Sequence, residues 1–242
     1  MAGLNIAPLP HFLVMFVLLC IAILLAARWL LPIAPEPGKK TPIFARPTKA
    51  LLGLGFLAFC AFMCEGAMSD WSAVYLHGTL GTSTGIAAAG LAIYSLAMTI
   101  ARLGGDSLTQ ILGPVRQVQL SGLLSVVGLG LALLVPYPAV AMLGFAFVGA
   151  GLACVAPLVF STASRTPGMS PSIALASVAT VAYSGSLIGP PLIGHVANLV
   201  SLRGALGLVV LLSITIVLLA RTVGRPLPQQ NTLEAKIEQA VD

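Results

Sequence analysis

The sequence predicts an all-α membrane protein with seven transmembrane helices. Of its 242 residues, 58% are hydrophobic and only 8% are charged, where an ordinary soluble domain carries about 25% charge. The mean hydropathy of +1.02 excludes a disordered chain, which needs low hydrophobicity and high charge. The apolar residues also fall in continuous runs, each long enough to cross a hydrocarbon core about 30 Å thick, which takes about 20 helical residues. Strands of a closed barrel would instead alternate in hydrophobicity over about 10 residues.

The spans follow in order. The first is Phe12 to Leu31. Its apolar core is too long for a signal peptide, and the only ionisable side chain before it is His11, whereas a signal carries a basic leading segment. The second is Ala50 to Leu76, the third Thr84 to Leu103 and the fourth Val118 to Pro136. The fifth is Ala139 to Thr162, the sixth Ser172 to Leu199 and the seventh Gly204 to Ala220. Between the first two lies PIAPEPGKKTPIFARPTK, rich in Pro and Lys and the natural boundary between bundles. The other connections are short, so neighbouring helices run antiparallel. The expected organisation is a short external tail with the first helix (1–33), a cytoplasmic linker (34–49), a six-helix bundle (50–220) and a polar cytoplasmic tail (221–242).

Charge sets the orientation. Eleven of the twelve lysines and arginines fall on the linker side, and only Arg203 falls on the other. The positive-inside rule makes the linker side cytoplasmic. The C-terminus is then expected inside and the N-terminus outside the plasma membrane. The net charge of +5 is therefore topological. Nucleic-acid binding would need a clustered basic face with aromatics to stack on, and the sequence has none. Cys20, Cys60, Cys64 and Cys154 sit inside apolar runs, with no C-x-x-C pair and no zinc spacing. They read as packing residues, and no cofactor or metal is expected.

Three segments carry a resemblance. In the sixth span, GSLIGPPLIG places Gly185, Gly189, Pro190, Pro191 and Gly194 close to the pattern G-x-x-x-G-P-x-x-G-G. Glycines there let a neighbouring backbone approach, and the prolines bend a helix whose freed carbonyls a bundle can satisfy. Between spans three and four, ARLGGDSLTQILGPVR carries Arg102, Gly105, Asp106, Gly113, Pro114 and Arg116. It is similar to the G-x-x-x-D-R-x-G-R-R cytoplasmic loop of the major facilitator superfamily, with Gln110 and Ile111 where that loop has its Asp-Arg pair. The second span's CEGAMSDWSAVYL resembles the seventh helix of bacterial sugar-permease-like members. A faint echo links Leu54-Gly55-Phe56 to Leu143-Gly144-Phe145 at the spacing of one three-helix unit.

The chain thus resembles the C-terminal half of a twelve-helix major facilitator transporter, with the preceding helix. That resemblance implies that spans two to seven form the C-terminal bundle, that the first five helices are lacking, and that spans two, three, five and six line a central cavity. It makes Tyr94, Tyr183, His195 and Asn198 candidates for cavity contacts. The implied partners are the lipid bilayer, a small solute of unknown identity and a second transporter half.

Two acids lie inside a span. Charge at the bilayer centre costs about 2.5–3.5 kcal/mol on insertion scales. Glu65 falls roughly 3 Å from the midplane and Asp70 roughly 10 Å toward the outside, and the two are about 140° apart around the helix. They cannot act as a carboxylate pair. Asp70, with Trp71 and Tyr75, reads as an interface anchor. Arg102 and Asp106 can pair across one helical turn. With no Lys or Arg expected at its depth, Glu65 is expected to be a neutral acid when occluded and to release its proton when the cavity is wet, as a proton carrier would.

Enzyme readings fail. Leu103 precedes Gly104-Gly105-Asp106 where an intramembrane aspartyl protease wants G-x-G-D. Ser184-Gly185 lacks the G-x of a rhomboid-type protease, and His195 is roughly 16 Å up the same helix from Ser184. There is no H-E-x-x-H and no phosphate loop. Secondary-active transport by alternating access is the expected function. The alternative is a membrane-embedded interaction subunit, or a fragment with the same fold.

Overall fold

The computed structural model describes residues 8–27, 49–167 and 169–224. The linker up to residue 48 and the tail from residue 225, and so the expectations about them, lie outside the described residues. The chain divides into two units, Met1–Pro42 and Ile43–Asp242. The first contributes α1 (Pro8–Ala27), an uncharged apolar helix that opens on Pro8 and Pro10, where the first turn needs no amide donors.

The second unit is a helical bundle. Its elements are α2 (Lys49–Val74), continued by a π-helical turn (Tyr75–Thr79), α3 (Thr84–Leu112), α4 (Pro114–Leu134), α5 (Pro138–Leu152), α6 (Val155–Ser164), α7 (Pro171–Leu199) and α8 (Leu202–Leu219), then a 3₁₀ turn (Ala220–Gly224). Counting α5 with α6, six helices of the described residues are long and apolar enough to cross a membrane, and Leu13–Ala27 is a shorter apolar helix. No strand occurs among the described residues. The chain is an all-α membrane protein. Successive spans run antiparallel, so Arg116, Arg165 and Arg221 mark one end of the bundle and Arg203 the other.

Four details depart from the sequence-based expectation. The third helix continues to Leu112 instead of ending near Leu103. Gly104 and Gly105 weaken the helix without ending it, and the turn waits for Gly113, whose φ of 75° is costly for any residue with a Cβ, followed by Pro114 at the start of α4. The fifth span is broken at Ala153–Cys154, because Pro157 has no amide to give the carbonyl four residues back. Tyr75 is not an interface anchor: it is fully buried, donates to Ala132 O at 3.0 Å and meets Phe145 edge-on at 6.3 Å. The 3₁₀ turn also extends helical structure into the expected tail.

Glycine sets the close contacts. A Cβ at Gly185 would fall on Phe59 O, one at Gly189 would lie 2.9 Å from Met63 O, and one at Gly194 would press on the Trp71 ring. The expected packing motif therefore seats α7 along α2. Trp71 Nε1 donates to Pro190 O at 3.1 Å, which holds the proline segment against α2. Gly144 of α5 meets Gly128 of α4 backbone to backbone, and Gly149 of α5 meets the carbonyl of Tyr94 on α3. Small residues let membrane helices gain packing energy where no hydrophobic drive between them exists.

Candidate functional site

Polar side chains that the packing leaves uncovered lie in stripes. On α3, Ser95, Thr99, Arg102 and Asp106 are all exposed, and their spacing of three or four puts them on one face. On α7, Thr180 and Ser184, and three turns further on His195 and Asn198, fall on one face and are at least partly exposed, with the apolar Leu187 and Ile188 exposed between them. On α2, Glu65 and Ser69 lie one turn apart and at least partly uncovered, with the ring of Phe62 beneath them. The aromatic contacts tie these helices together: Phe62 meets Tyr183 of α7 edge-on at 5.2 Å and Phe160 of α6 at 6.1 Å.

The charge at the centre of this face is paired. Arg102 Nη2 lies 3.6 Å from Glu65 Oε1. The same guanidinium donates from Nε to Ala153 O at 3.2 Å. This corrects two expectations. Arg102 does not pair with Asp106, and Glu65 does have a cation at its depth. The reason is geometric. Arg102 lies well inside α3, which runs on to Leu112, and its long stem can run along apolar surface and place its head beside α2. The Glu65 side chain is 21% exposed and that of Arg102 48%, so the carboxylate is held inside the bundle and the guanidinium reaches it from a less covered position. Glu65 Oε1 is buried without a hydrogen-bond partner, as is the Tyr94 hydroxyl.

Toward the arginine-rich end, a cavity of about 420 Å³ opens between α3 and the α5–α6 break, lined by Arg102, Asp106, Thr109, Cys154, Ser161 and Arg165 among others. The loop residues above it are clamped by neutral groups. Gln117, 2% exposed, donates from Nε2 to Gly105 O at 3.2 Å. Thr109 donates to the same carbonyl at 2.8 Å and also contacts Gln117 Oε1. Gln110 and Ile111, which stand where the resembled loop has its Asp-Arg pair, are exposed and take no part in the clamp. Arg116 is exposed just beyond the Gly113 turn.

The expected site residues therefore separate. Glu65 and Arg102 are brought together, and Tyr94 is buried on α3 two turns from Arg102. Tyr183 is exposed and joins the aromatic cluster. Asp70, His195 and Asn198 are exposed and lie toward the Arg203 end. Sequence reasoning missed Phe62, Phe160, Gln117 and Pro157. Of these, Pro157 carried a signal, a proline in the middle of an apolar run. Among the described residues no group of three or more His, Cys, Asp or Glu is placed to hold a metal. An acid beside a guanidinium on an uncovered polar face can bind a polar solute or exchange a proton.

The comparisons fit this geometry. The description of the Major Facilitator Superfamily matches residues 7–173, and the chain belongs to that superfamily. It is 38% identical over 223 residues to an uncharacterized MFS-type transporter of Yersinia pestis, covering 92% of this chain and 57% of that protein. It is 32% identical over 200 residues to membrane protein MosC of Rhizobium meliloti, covering 81% and 49%. The chain thus spans about half the length of these curated relatives. Among solved structures, the E. coli fucose:proton symporter FucP superposes with a TM-score of 0.73 at 16% identity over 90% of this chain and 55% of that one. A peptide transporter POT superposes with a TM-score of 0.66 at 20% identity over 84% and 46%. At such identities these structures speak for the fold alone.

Proposed function

We propose that this chain supplies one six-helix bundle of a secondary-active transporter that moves a small solute by alternating access, with the Arg116 end in the cytoplasm of a bacterium and the Arg203 end outside its inner membrane. The observation that carries the reading is the Glu65–Arg102 pair, set inside the bundle on a face of polar residues that α3 and α7 leave uncovered. A charge at that depth is costly unless it is used or paired, and a face this polar is ill suited to lipid. A second bundle, from another segment or a second copy, would cover it and enclose the solute between the two. Glu65 would carry the coupling proton, with Arg102 as its counter-charge when ionised. Tyr94, Tyr183, His195 and Asn198 would line the path and Asp70 would stay a fixed outer charge.

The test is proton flux. Liposomes loaded with a pH-sensitive dye and containing the complete two-bundle transporter are challenged with a panel of sugars, polyols, peptides and amino acids. A solute that drives proton movement should lose that effect in Glu65→Gln while still exchanging across the membrane. Liposomes holding this chain as a monomer should show no saturable uptake. Saturable uptake by the monomer, or unchanged proton movement in Glu65→Gln, overturns the reading.

Orientation has its own test. Single cysteines at Tyr137, exposed between α4 and α5, and at Arg116 should behave oppositely toward a membrane-impermeant maleimide added to intact cells. The first should label and the second should not. Labelling at Arg116 would reverse the assignment.

A further inference from the structure

The break between α5 and α6 has a donor brought in from another helix. Pro157 removes the amide that would have bonded Ala153 O, and Ala153 is fully buried, so the carbonyl needs another donor. It receives one from Arg102 Nε at 3.2 Å. The stitch is reciprocal, since Cys154 Sγ, the next residue, donates to Ala101 O at 3.8 Å. The contact is close as well: a Cβ at Gly105 would lie 2.6 Å from Cys154 Sγ. One guanidinium therefore serves two helices, holding the orphaned carbonyl of the break and the Glu65 carboxylate of α2 at once.

We propose that the α5–α6 break is a joint whose closure depends on the charge of Glu65, with Arg102 as the link. While Glu65 is ionised, it pins the guanidinium at the depth of Ala153. When Glu65 is neutral, that anchor is gone. The head relaxes toward the arginine-rich end, where Asp106 lies one turn along α3 and the cavity lined by Asp106, Ser161 and Arg165 gives room and water. Ala153 O then loses its donor and α6 becomes free to swing on the break. The tyrosine hydroxyl of Tyr94 and the thiol of Cys64 are the other titratable groups near Glu65, and neither can replace a cation. The inference extends the reading of Glu65 as the coupling acid, but its test needs no solute, so the two can fail separately.

The test is the reactivity of Cys154. In the full chain in nanodiscs, with Cys20, Cys60 and Cys64 replaced by alanine, Cys154 is 8% exposed and should react slowly with N-ethylmaleimide. Glu65→Gln should speed alkylation at least about tenfold, the factor that corresponds to about 1.4 kcal/mol. Pro157→Ala returns an amide to Ala153, so adding Glu65→Gln in that background should change the rate by less than about threefold, under 0.7 kcal/mol on the same scale. An equal acceleration in both backgrounds, or none in either, overturns the proposal. Should Pro157→Ala fail to fold, hydrogen exchange decides. Amides from Leu158 to Ser164 should exchange faster in both Glu65→Gln and Arg102→Met, and unchanged exchange in either overturns it.

Discussion

Gly149→Ala is expected to lower the melting temperature of the detergent-purified chain by at least about 5 °C. A Cβ there lands on the carbonyl oxygen of Tyr94, and a backbone atom of a helix cannot rotate aside as a side chain can. Overpacking a core usually costs about 1–3 kcal/mol, and the rigid obstacle puts this case at the upper end. For a chain of this size each kcal/mol moves the midpoint by about 2–4 °C. Gly130→Ala is the control. A Cβ there meets nothing within 4 Å, and alanine is the better helix former by about 1 kcal/mol, so its midpoint should hold or rise. The effect should reach the site. Wedging α5 from α3 at Tyr94 pulls Arg102, two turns along α3, away from Glu65 and from Ala153. Equal midpoints for the two variants would mean that α3 and α5 do not pack through this contact.

Much of the fold was legible because hydropathy is a one-dimensional signal. Run length against bilayer thickness located the spans, and the glycine spacing of Gly185, Gly189 and Gly194 announced the close contact that the structure finds against α2. The three-dimensional part of the site was not legible. Tyr75 looked like an anchor because it follows Asp70 and Trp71. In a helix, though, the side that faces the core depends on neighbours whose positions no local pattern states, and Phe145 and Ala132 O lie on another part of the chain. Arg102 falls at the end of an apolar run, where a charge usually marks the membrane surface, so the sequence pairs it with Asp106 one turn on. A guanidinium on a long stem can instead serve the interior, and only the positions of Glu65 and the Pro157-freed carbonyl show that it does. Gln117 gave no signal, since a lone Gln at a helix start is ordinarily solvated. In the fold it clamps Gly105 and Thr109.

Arg102→Leu should be the most damaging single change at the site, and more damaging than Glu65→Gln. The two halves of the pair are unequal. Removing the carboxylate leaves a guanidinium whose side chain is already 48% exposed and whose long stem lets it move to water, so no charge is stranded and the cost is confined to the Ala153 carbonyl that the guanidinium leaves. Removing the guanidinium leaves an anion only 21% exposed, on a short side chain near the midplane, and leaves Ala153 O without a donor. An uncompensated acid at the helix centre costs about 2.5–3.5 kcal/mol on insertion scales, and an unpartnered buried carbonyl about 1–3 kcal/mol more. Folded yield from membranes should therefore fall several-fold in Arg102→Leu and distinctly less in Glu65→Gln, which orphans the carbonyl but strands no charge. The double variant Glu65→Gln with Arg102→Leu separates the two costs. It removes the lone anion but not the orphaned carbonyl, so yield should return only part of the way. Adding Pro157→Ala, which supplies the missing amide, should return the rest. Full recovery in the double variant alone would show that Ala153 needs no donor from α3. No recovery in either would show that Arg102 supports the bundle through packing of its stem, with its charge incidental.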